Sequence, residues 1–340
     1  MDKAIRDRYG DAILQEVAAR YGQTPGALTA LGGFESFIYR FDDNGAPVIL
    51  RVTHSLRRSP DLIRGEVDWI NALAAGGAAV ARALLSARGE LVEEIDDGAG
   101  GCFLATAFAF APGRPPWEAG WTPARIDAYG RLLGRMHALT KDYRPADPAW
   151  RRDAWPATFE AEIAGLLRGD DAPLLARYQA LTRRIEARPR GRDDYGLIHF
   201  DAHEANLHID GDRVVLFDFD DCAYNWFIAD IAIVLFYRVT NRDEPERVAA
   251  DFLPGFLRGY AAENRLDPRW LAAIPDFLTT REIDLYAVIR RSYDLPEVTP
   301  AAVEAIPHDW PRRFMRGRRE RLLAEQPYLD LDFSALADYL

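Results

Sequence analysis

The segment GLIHFDAHEANLHIDGDRVVLFDFDD, residues 196–221, combines an apolar framework with side chains that can do chemistry. It contains three histidines and seven carboxylic acids. Because burial of an unpaired carboxylate is costly, acids in such a framework normally face a cation, a ligand or a compensating hydrogen-bond network. Solvated hairpin ends explain Asp210 and Asp212, but not the acids set among Leu216 and Phe219. The segment is therefore the first candidate for a functional site.

Within this segment, the run NLHIDGDRVVLFDF predicts a hairpin of two strands around an Asp-Gly-type turn. The hairpin returns Asp218, at its exit, toward Asn206, at its entry. Asp201 precedes Asn206 by five residues, in the loop that leads into the first strand. Carboxylate and amide oxygens suit Mg²⁺, which proteins bind through one or two groups together with substrate phosphates. The pattern predicts a magnesium site at one end of the hairpin.

The runs HFDAHEAN and LFDFD resemble the catalytic motif of aminoglycoside phosphotransferases and of choline and homoserine kinase relatives, the small-molecule branch of the protein-kinase fold. The resemblance implies that Asp201 orients the acceptor hydroxyl and takes its proton, while Asn206 and Asp218 hold Mg²⁺ on the ATP phosphates. It also implies that His199 packs in the core and that Asp230 braces the catalytic loop. For Asp230, an ordinary acid at a helix N-terminus, favoured by the helix dipole, remains an alternative.

The catalytic motif departs from its common form at Phe200, Glu204 and Ala205, where glycine, proline and glycine are frequent. These changes leave the chemistry intact but leave the subfamily, and hence the acceptor, open. His203 and His208 have no assigned role.

Two other functions compete with phosphotransfer. A metal-dependent hydrolase would use the run His199, Asp201 and His203, whose spacing on a strand places all three side chains on one face. No histidine-rich partner set follows, and His308 stands alone. A non-catalytic nucleotide-binding module is the second alternative, against which the complete motif argues. A protein kinase is disfavoured because no long activation segment ending in an Ala-Pro-Glu-like motif follows Asp218.

A nucleotide-binding part is predicted before the motif. The run LGGFESFIYRF places Gly32 and Gly33 between two predicted strands, followed by Ser36. A Gly-Gly turn is often only a turn, but here it precedes VILRV by one strand pair, so its backbone N–H groups are expected to approach the ATP phosphates. The strand CFLATAFAF resembles the kinase hinge, and adenine is expected to bind its backbone around Phe108 to Phe110.

The strand VILRV carries Arg51 where the resembled family has a phosphate-binding lysine. The only lysines in the chain are Lys3 and Lys141, far from this strand. Arginine can clamp phosphates through its planar fork, so we treat Arg51 as a variant of the family pattern. In the next predicted helix, SPDLIRGEVDWINALAA, Glu66 lies at the edge of the apolar stripe and is the predicted partner of Arg51. A half-exposed glutamate facing solvent is the alternative.

The elements that would position these residues change character along the chain. Residues 2–21 have helical periodicity, and strand-like runs follow: ALTAL, FIYRF, PVILRV and two hairpin-like strands in ALLSARGELVEEI. Beyond Pro112 most segments predict helices, among them ADIAIVLFYRV. With the resemblance, this predicts an α+β, two-lobed protein-kinase-like fold. Residues 1–110 would form the nucleotide-binding lobe, ending in the hinge, and residues 111–340 the helical lobe with the catalytic loop and acceptor site.

Composition narrows the setting. The chain has 340 residues, 49% hydrophobic and 28% charged, and a net charge of −11. This charge argues against a nucleic-acid binder, which needs phosphate neutralisation. Cys102 and Cys222 suggest neither a disulfide framework nor a zinc site. The N-terminal run has no apolar signal core, and the most apolar windows are too short to span a bilayer. We expect a cytoplasmic protein that binds neither nucleic acid nor membrane; the oligomeric state is open.

The function predicted from these observations is transfer of the ATP γ-phosphate to a hydroxyl of a small molecule, such as an aminoglycoside or an amino alcohol, with Mg²⁺ as the cofactor. The acceptor itself is not identified. The candidate lining residues, each equally compatible with a core or surface role, are Asp221, Tyr224, Trp226, Glu282, Asp284 and Tyr286.

Overall fold

The chain folds into two compact units. The computed structural model describes residues 2–33 and 35–340. Unit 1 comprises Met1–Arg114, Asp142–Arg152 and Leu207–Asp220; unit 2 comprises Pro115–Lys141, Asp153–Asn206 and Asp221–Leu340. Most strands belong to unit 1 and most helices to unit 2. The division at residue 110 stays a prediction about the domains.

Unit 1 is built on a six-stranded antiparallel sheet. Its strands are β1 (Thr29–Ala30), β2 (Phe37–Asp43), β3 (Ala46–His54), β4 (Ala83–Leu84), β5 (Glu93–Asp96) and β6 (Cys102–Ala109). The strand order is β1-β2-β3-β6-β4, and β5 also pairs with β6. The helices of this unit are α1 (Lys3–Arg6), α2 (Asp11–Arg20) and α3 (Pro60–Ala75). The predicted strands and the predicted helix after Ser59 are therefore present.

Two predictions for unit 1 were wrong. Residues 2–21 do not form one helix: α1 ends at Arg6, and Gly10, which is extended with φ of −150°, precedes the first residue of α2. The strands β4 and β5 do not form a hairpin with each other. Instead β4 pairs with Phe108 and Ala107 of β6, and β5 pairs farther along the same strand. They lie end to end along β6, so they share a partner strand and not a hairpin turn.

The core of unit 1 fixes the position of α3. The Ser59 hydroxyl accepts a hydrogen bond from the Leu62 amide at 3.3 Å, and Pro60 occupies the first helical position, a usual start for a helix. Ile63 and Val67 of this helix pack with Leu104 of β6. The apolar face of α3 thus lies against the sheet, as its periodicity predicted.

Unit 1 also contains the predicted hairpin of the catalytic segment. Its strands β8 (Leu207–Asp210) and β9 (Arg213–Leu216) pair with Leu207 opposite Leu216. Gly211, at the turn, has φ of +62°, a conformation that glycine adopts without steric cost. The main chain of Leu216 bonds with Ala79 and Ala81, which ties the hairpin into unit 1.

Unit 2 is mainly helical. Its elements are α4 (Pro116–Ala119), α5 (Pro123–Thr140), α6 (Ala157–Leu166), α7 (Ala172–Glu186), β7 (Tyr195–Ile198), β10 (Ala223–Trp226), α8 (Phe227–Val239), α9 (Pro245–Ala261), α10 (Ile274–Ser292), α11 (Pro300–Glu304), α12 (Asp309–Met315) and α13 (Arg318–Leu323). The strands β7 and β10 pair with each other. Helices α5 and α9 pack closely because Gly130 and Gly259 lie at their contact. A Cβ on either glycine would come within 2.1 Å of a carbonyl oxygen of the other helix.

Helix α8 is apolar on nearly all sides and is almost completely buried, as expected for a central helix of a large unit. Asp230, in its first turn, is fully buried. In the described part of the chain, no helix is long and apolar enough to cross a membrane.

Candidate active site

The predicted catalytic loop, in unit 2, follows β7 and is held by one buried carboxylate. The Asp230 oxygens accept hydrogen bonds from the backbone N–H groups of His199, at 3.0 Å, and Phe200, at 2.7 Å. Phe200 has φ of +64°, a left-handed conformation that costs energy for a residue with a side chain. Asp230 therefore holds a strained loop in place. It also lies in the first turn of α8, so the loop-bracing role and the ordinary acid at a helix N-terminus, which were given as alternatives, both apply.

A second partner of Asp230 was missed in the sequence. The buried His137, on α5, lies with Nε2 at 3.1 Å from an Asp230 oxygen and with Nδ1 at 2.8 Å from the Tyr260 hydroxyl. Asn264 donates to that hydroxyl at 2.8 Å. With Nε2 as the donor and Nδ1 as the acceptor, every ring nitrogen of His137 is used. Its apolar neighbours in the sequence, Met136 and Ala138, are the local signal that it is buried.

Asp201 lies just after the strained residue and is surrounded by hydrogen-bond donors. The Asn206 amide nitrogen donates to the Asp201 carboxylate and to its carbonyl, both at 3.0 Å. His203 Nε2 lies 3.2 Å from one carboxylate oxygen, and Arg281 donates to the other. Burial raises the pKa of Asp201, but His203 and Arg281 outweigh it and hold the pKa well below its usual range. Asp201 is therefore a carboxylate at neutral pH, ready to accept a hydrogen bond.

Arg281, on α10, is the main site residue that the sequence did not reveal. Besides Asp201, it donates to the Tyr237 hydroxyl at 2.7 Å, and its guanidinium lies 5.3 Å from the centre of that ring. It also lines a small cavity together with Phe200 and Asp284. Burial raises the pKa of Asp284 to about 7, against the attraction of Arg281. Local patterns could not reveal Arg281, because 80 residues separate it from Asp201.

The geometry expected for the hydrolase alternative is wrong. The strand β7 ends at Ile198, and the positive φ of Phe200 breaks the alternation that would place three ligands on one face. His199 Nδ1 accepts from the Asp201 amide at 3.2 Å, and His203 Nδ1 accepts from the Ala205 amide at 3.0 Å. Within residues 2–33 and 35–340, no group of three or more His, Cys, Asp or Glu side chains could hold a metal ion. His199 is a buried residue with a structural contact.

In unit 1, Arg51 and Glu66 form a buried bidentate ion pair. The two terminal guanidinium nitrogens donate to the two carboxylate oxygens, at 2.8 and 2.6 Å. Glu66 is fully buried, so the alternative of a half-exposed glutamate was wrong. Burial lowers the pKa of Arg51, but Glu66 more than offsets this and the pKa is raised. Arg51 Nε is buried without a hydrogen-bond partner, and its guanidinium lies 5.1 Å from the Phe108 ring centre.

The end of the hairpin in unit 1 is strongly cationic. Asp218 Oδ1 lies 3.8 Å from Arg51 Nη1, and Asp218 has φ of +63°. Burial raises the pKa of Asp220, but Arg57, Arg51, Arg58 and Arg152 together hold it well below its usual range. Arg152 also donates to the Asp220 carbonyl at 2.6 Å. Arg57 and Arg152 lie 163 and 68 residues before Asp220 in the chain, and the sequence gave no sign that they converge on it.

The predicted glycine turn lies between β1 and β2. Gly32 has φ of +77°, and a Cβ on Gly33 would lie 2.1 Å from the Ser36 carbonyl oxygen, so both positions require glycine. The next residue, Phe34, lies outside the described residues, and Ser36 is buried. A contact of these residues with phosphate stays a prediction.

The predicted hinge follows β6, which contains Phe108 and ends just before Phe110. The Arg40 guanidinium lies 5.2 Å from the Phe110 ring centre. His208 Nδ1 donates to the Ala111 carbonyl at 2.8 Å, a role that the sequence left unassigned. This bond ties the hinge segment to β8 within unit 1. Adenine binding around Phe108 to Phe110 stays a prediction.

The oxygen ligands of the two units suit Mg²⁺ individually. In unit 2, both amide hydrogens of Asn206 are used by Asp201, which orients the amide and leaves its oxygen as the coordinating atom. In unit 1, the Asp218 side chain is 54% exposed. Amide and carboxylate oxygens are hard donors of the type that Mg²⁺ prefers. These two oxygen donors therefore fit Mg²⁺. That Asn206 and Asp218 bind the same ion stays a prediction.

Several residues considered for the acceptor site have structural partners in unit 2. Trp226 donates to the Pro189 carbonyl at 2.8 Å, Glu282 pairs with Arg318 at 2.6 Å, and the Tyr286 hydroxyl donates to Asp171 at 3.1 Å. All three side chains are buried. Because these three side chains have structural roles, the acceptor site is better sought around Arg281 and the Tyr237 ring beside it.

Comparisons with known proteins find similar kinases over nearly the whole chain. Amicoumacin kinase of Bacillus subtilis (strain 168) is 35% identical over 330 residues, 96% of each chain. A solved structure of amicoumacin kinase in complex with AMP-PNP, Ca²⁺ and Ami has a TM-score of 0.91 at 34% identity, covering 99% of this chain and 100% of that one. A microcompartment-associated aminopropanol kinase has a TM-score of 0.72 at 23% identity, covering 93% and 98%.

The likeness to the aminopropanol kinase bears on the fold alone. Together with the likeness to the amicoumacin kinase structure, it confirms the predicted two-lobed kinase-like fold. Residues 27–273 match the phosphotransferase enzyme family (APH). The chain therefore belongs to the phosphotransferase enzyme family, as the resemblance of its motifs predicted.

Proposed function

We propose that this protein transfers the γ-phosphate of ATP to a hydroxyl of a small molecule, and that amicoumacin is the acceptor to test first. The observation that carries the proposal is the catalytic loop, where Asn206 and Arg281 hold the two carboxylate oxygens of Asp201. The likeness to amicoumacin kinases over nearly the whole chain supports this choice of acceptor.

In the proposed reaction, the acceptor hydroxyl oxygen bonds to the γ-phosphorus, and the bond from that phosphorus to the β–γ bridging oxygen breaks, releasing ADP. Asp201 accepts a hydrogen bond from the hydroxyl, which directs an oxygen lone pair at the phosphorus, and then takes the proton. Arg51 donates to the phosphates from unit 1, while Glu66 holds its guanidinium plane. Asn206 and Asp218 would hold Mg²⁺, which when bound offsets the negative charge of the phosphates.

The test is phosphorylation by the purified protein with ATP and Mg²⁺, followed as ADP release and as a gain of one phosphoryl group in the acceptor mass. Amicoumacin is compared with aminoglycosides and small amino alcohols. Asp201→Asn is the matched control, and it should lower kcat by roughly 10²–10⁴-fold while AMP-PNP still binds. A wild-type protein that phosphorylates none of these acceptors, or an Asp201→Asn variant that keeps wild-type turnover, would contradict the proposal.

A further inference from the structure

Unit 2 contains a small cavity next to the predicted catalytic loop. The residues that line it include Phe200 of that loop, Ala229 of α8, Arg281 and Asp284 of α10, and Trp155. Its volume is about 10 Å³, which is room for one water molecule. Cavities with apolar walls stay dry, so the binding of a water here depends on the polar atoms of the lining residues.

Three polar atoms of the lining residues are buried and have no hydrogen-bond partner among the described residues. They are Asp284 Oδ1, Arg281 Nε and Trp155 Nε1. Asp284 is 6% exposed and Trp155 is 2% exposed. Buried polar atoms in folded proteins are nearly always hydrogen-bonded, and an ordered water is a common partner. One water accepts two hydrogen bonds and donates two, so a single molecule can serve two N–H donors and one carboxyl oxygen.

Arg281 connects this cavity to the predicted catalytic carboxylate. Its Nη2 donates to Asp201 and, at 2.7 Å, to the Tyr237 hydroxyl. The guanidinium group is planar and rigid, so a hydrogen bond at Nε fixes the plane in which Nη2 lies. Asp284 follows Arg281 by one helical turn, and residues at this spacing lie on the same face of a helix. A ligand held between these two side chains therefore acts on the orientation of Arg281 toward Asp201.

We propose that one buried water molecule binds in this cavity, where it accepts hydrogen bonds from Arg281 and Trp155 and donates one to Asp284. The bound water holds the guanidinium against Asp201, and Asp284 is a positioning residue that acts through Arg281. The positioning role deepens the proposed function and rests on it, whereas the binding of the water does not depend on the reaction.

The charge of Asp284 sets the pH of the test. Burial raises the pKa of Asp284 to about 7, and Glu162 on α6 adds to the rise, whereas Arg281 and the Tyr178 hydroxyl, on α7, oppose it. At pH 6 most Asp284 side chains are therefore protonated. Replacement of Asp284 at this pH removes its hydrogen bond to the water and changes the charge of unit 2 only slightly.

The experiment measures kcat and the KM for ATP at pH 6, with the acceptor that wild type uses best. Asp284→Leu has a similar branched shape without the oxygen, and it should lower kcat by about 10- to 100-fold with the KM for ATP unchanged, because a displaced supporting group misplaces the reacting atoms. Asp284→Asn keeps an oxygen and should stay within a few-fold of wild type. Thr279→Val is the matched control: its buried hydroxyl, also on α10, donates to the Pro275 carbonyl at 3.0 Å, and it should keep wild-type kcat.

A double variant separates positioning from a general loss of packing. If Asp284 acts through Arg281, the addition of Asp284→Leu to Arg281→Met should not lower kcat further, whereas independent effects would multiply. Full multiplication of the two effects, or a wild-type kcat in Asp284→Leu, would overturn the positioning role. Where Asp284→Leu does not fold, Trp155→Phe removes one donor to the water and should lower kcat by about 2- to 10-fold, the equivalent of one hydrogen bond. A wild-type kcat in Trp155→Phe would then overturn it.

A crystal structure of the wild-type protein tests the water directly. An ordered water should lie about 2.7–3.2 Å from Asp284 Oδ1 and from Arg281 Nε, and it should be lost in Asp284→Leu. A dry cavity, or a direct hydrogen bond from Tyr178 to Asp284 Oδ1 in its place, would overturn the inference. If the water is present but wild type phosphorylates no acceptor, the proposed function and the positioning role fail, while the water site stands.

Discussion

Replacement of Arg51 by methionine tests whether this arginine takes the place of the missing lysine. Arg51 has five N–H donors, of which two bind Glu66, and its Nε is buried without a partner. If the remaining donors bind two phosphate oxygens, their loss removes two charge-assisted hydrogen bonds of about 1.5–3 kcal/mol each. At about 1.4 kcal/mol per decade, kcat/KM for ATP should fall by roughly 10²–10⁴-fold.

The single change also affects stability, because Glu66 would remain as a buried carboxylate without its partner. Breaking a buried ion pair in this way typically costs about 3–5 kcal/mol. The double variant Arg51→Met/Glu66→Met removes both charges, and such apolar replacements are often neutral or stabilising. It should therefore recover the stability that the single variant loses, but not its use of ATP. Arg51→Lys should recover part of the activity, since an ammonium keeps the charge without the fork.

The assay combines steady-state kinetics at varied ATP with thermal unfolding of each variant. A purely structural role for Arg51 predicts that the double variant regains both stability and activity. Recovery of kcat/KM for ATP to within a few-fold of wild type in that variant would therefore refute phosphate binding by Arg51.

Three further predictions follow from the same geometry. Arg281 lowers the pKa of Asp201, so in Arg281→Met this pKa should rise by about 1–3 units; the acidic limb of the kcat/KM profile then moves to higher pH, and an unmoved limb would argue against the contact. Asp218→Asn, which tolerates the positive φ, should weaken Mg²⁺-dependent AMP-PNP binding at least about 10-fold in calorimetric titrations. Asp284 has a folded-state pKa of about 7, raised above its unfolded value, so it destabilises the fold increasingly as pH rises toward 7. Asp284→Asn should accordingly raise Tm more at pH 8 than at pH 4. An equal change in Tm at both pH values would show that burial does not destabilise the charged form of Asp284.

Local sequence patterns were sufficient where neighbouring residues decide the structure. Ser59 and Pro60 correctly predicted the start of α3. The apolar stripe of this helix correctly predicted that Glu66 faces inward, where it binds Arg51 of β3. The catalytic run gave the family and the kinase-like fold, both confirmed by the comparisons. The phosphotransferase class was confirmed with the family.

The same patterns failed where the backbone left its regular path. Helical periodicity continued across Gly10, although the chain is extended there, and strand alternation continued across Phe200, although its φ is positive. In both cases periodicity describes side-chain chemistry, while the actual path depends on backbone contacts that the pattern does not contain. For Phe200, those contacts come from Asp230, thirty residues later.

The sequence by itself determined the fold family, because short motifs and periodicity carry that information. It also predicted Asp201 as the catalytic carboxylate and Arg51 as the variant of the family lysine, and both roles stay predictions. Tertiary structure decided the surroundings of Asp201. Arg281 reaches it from α10, and His137 on α5 supports its loop through Asp230. These residues lie on helices that are far apart in the chain, so local sequence patterns do not predict that their side chains come into contact. Only the packing of the helices of unit 2 brings Arg281 to Asp201 and His137 to the supporting carboxylate of Asp230.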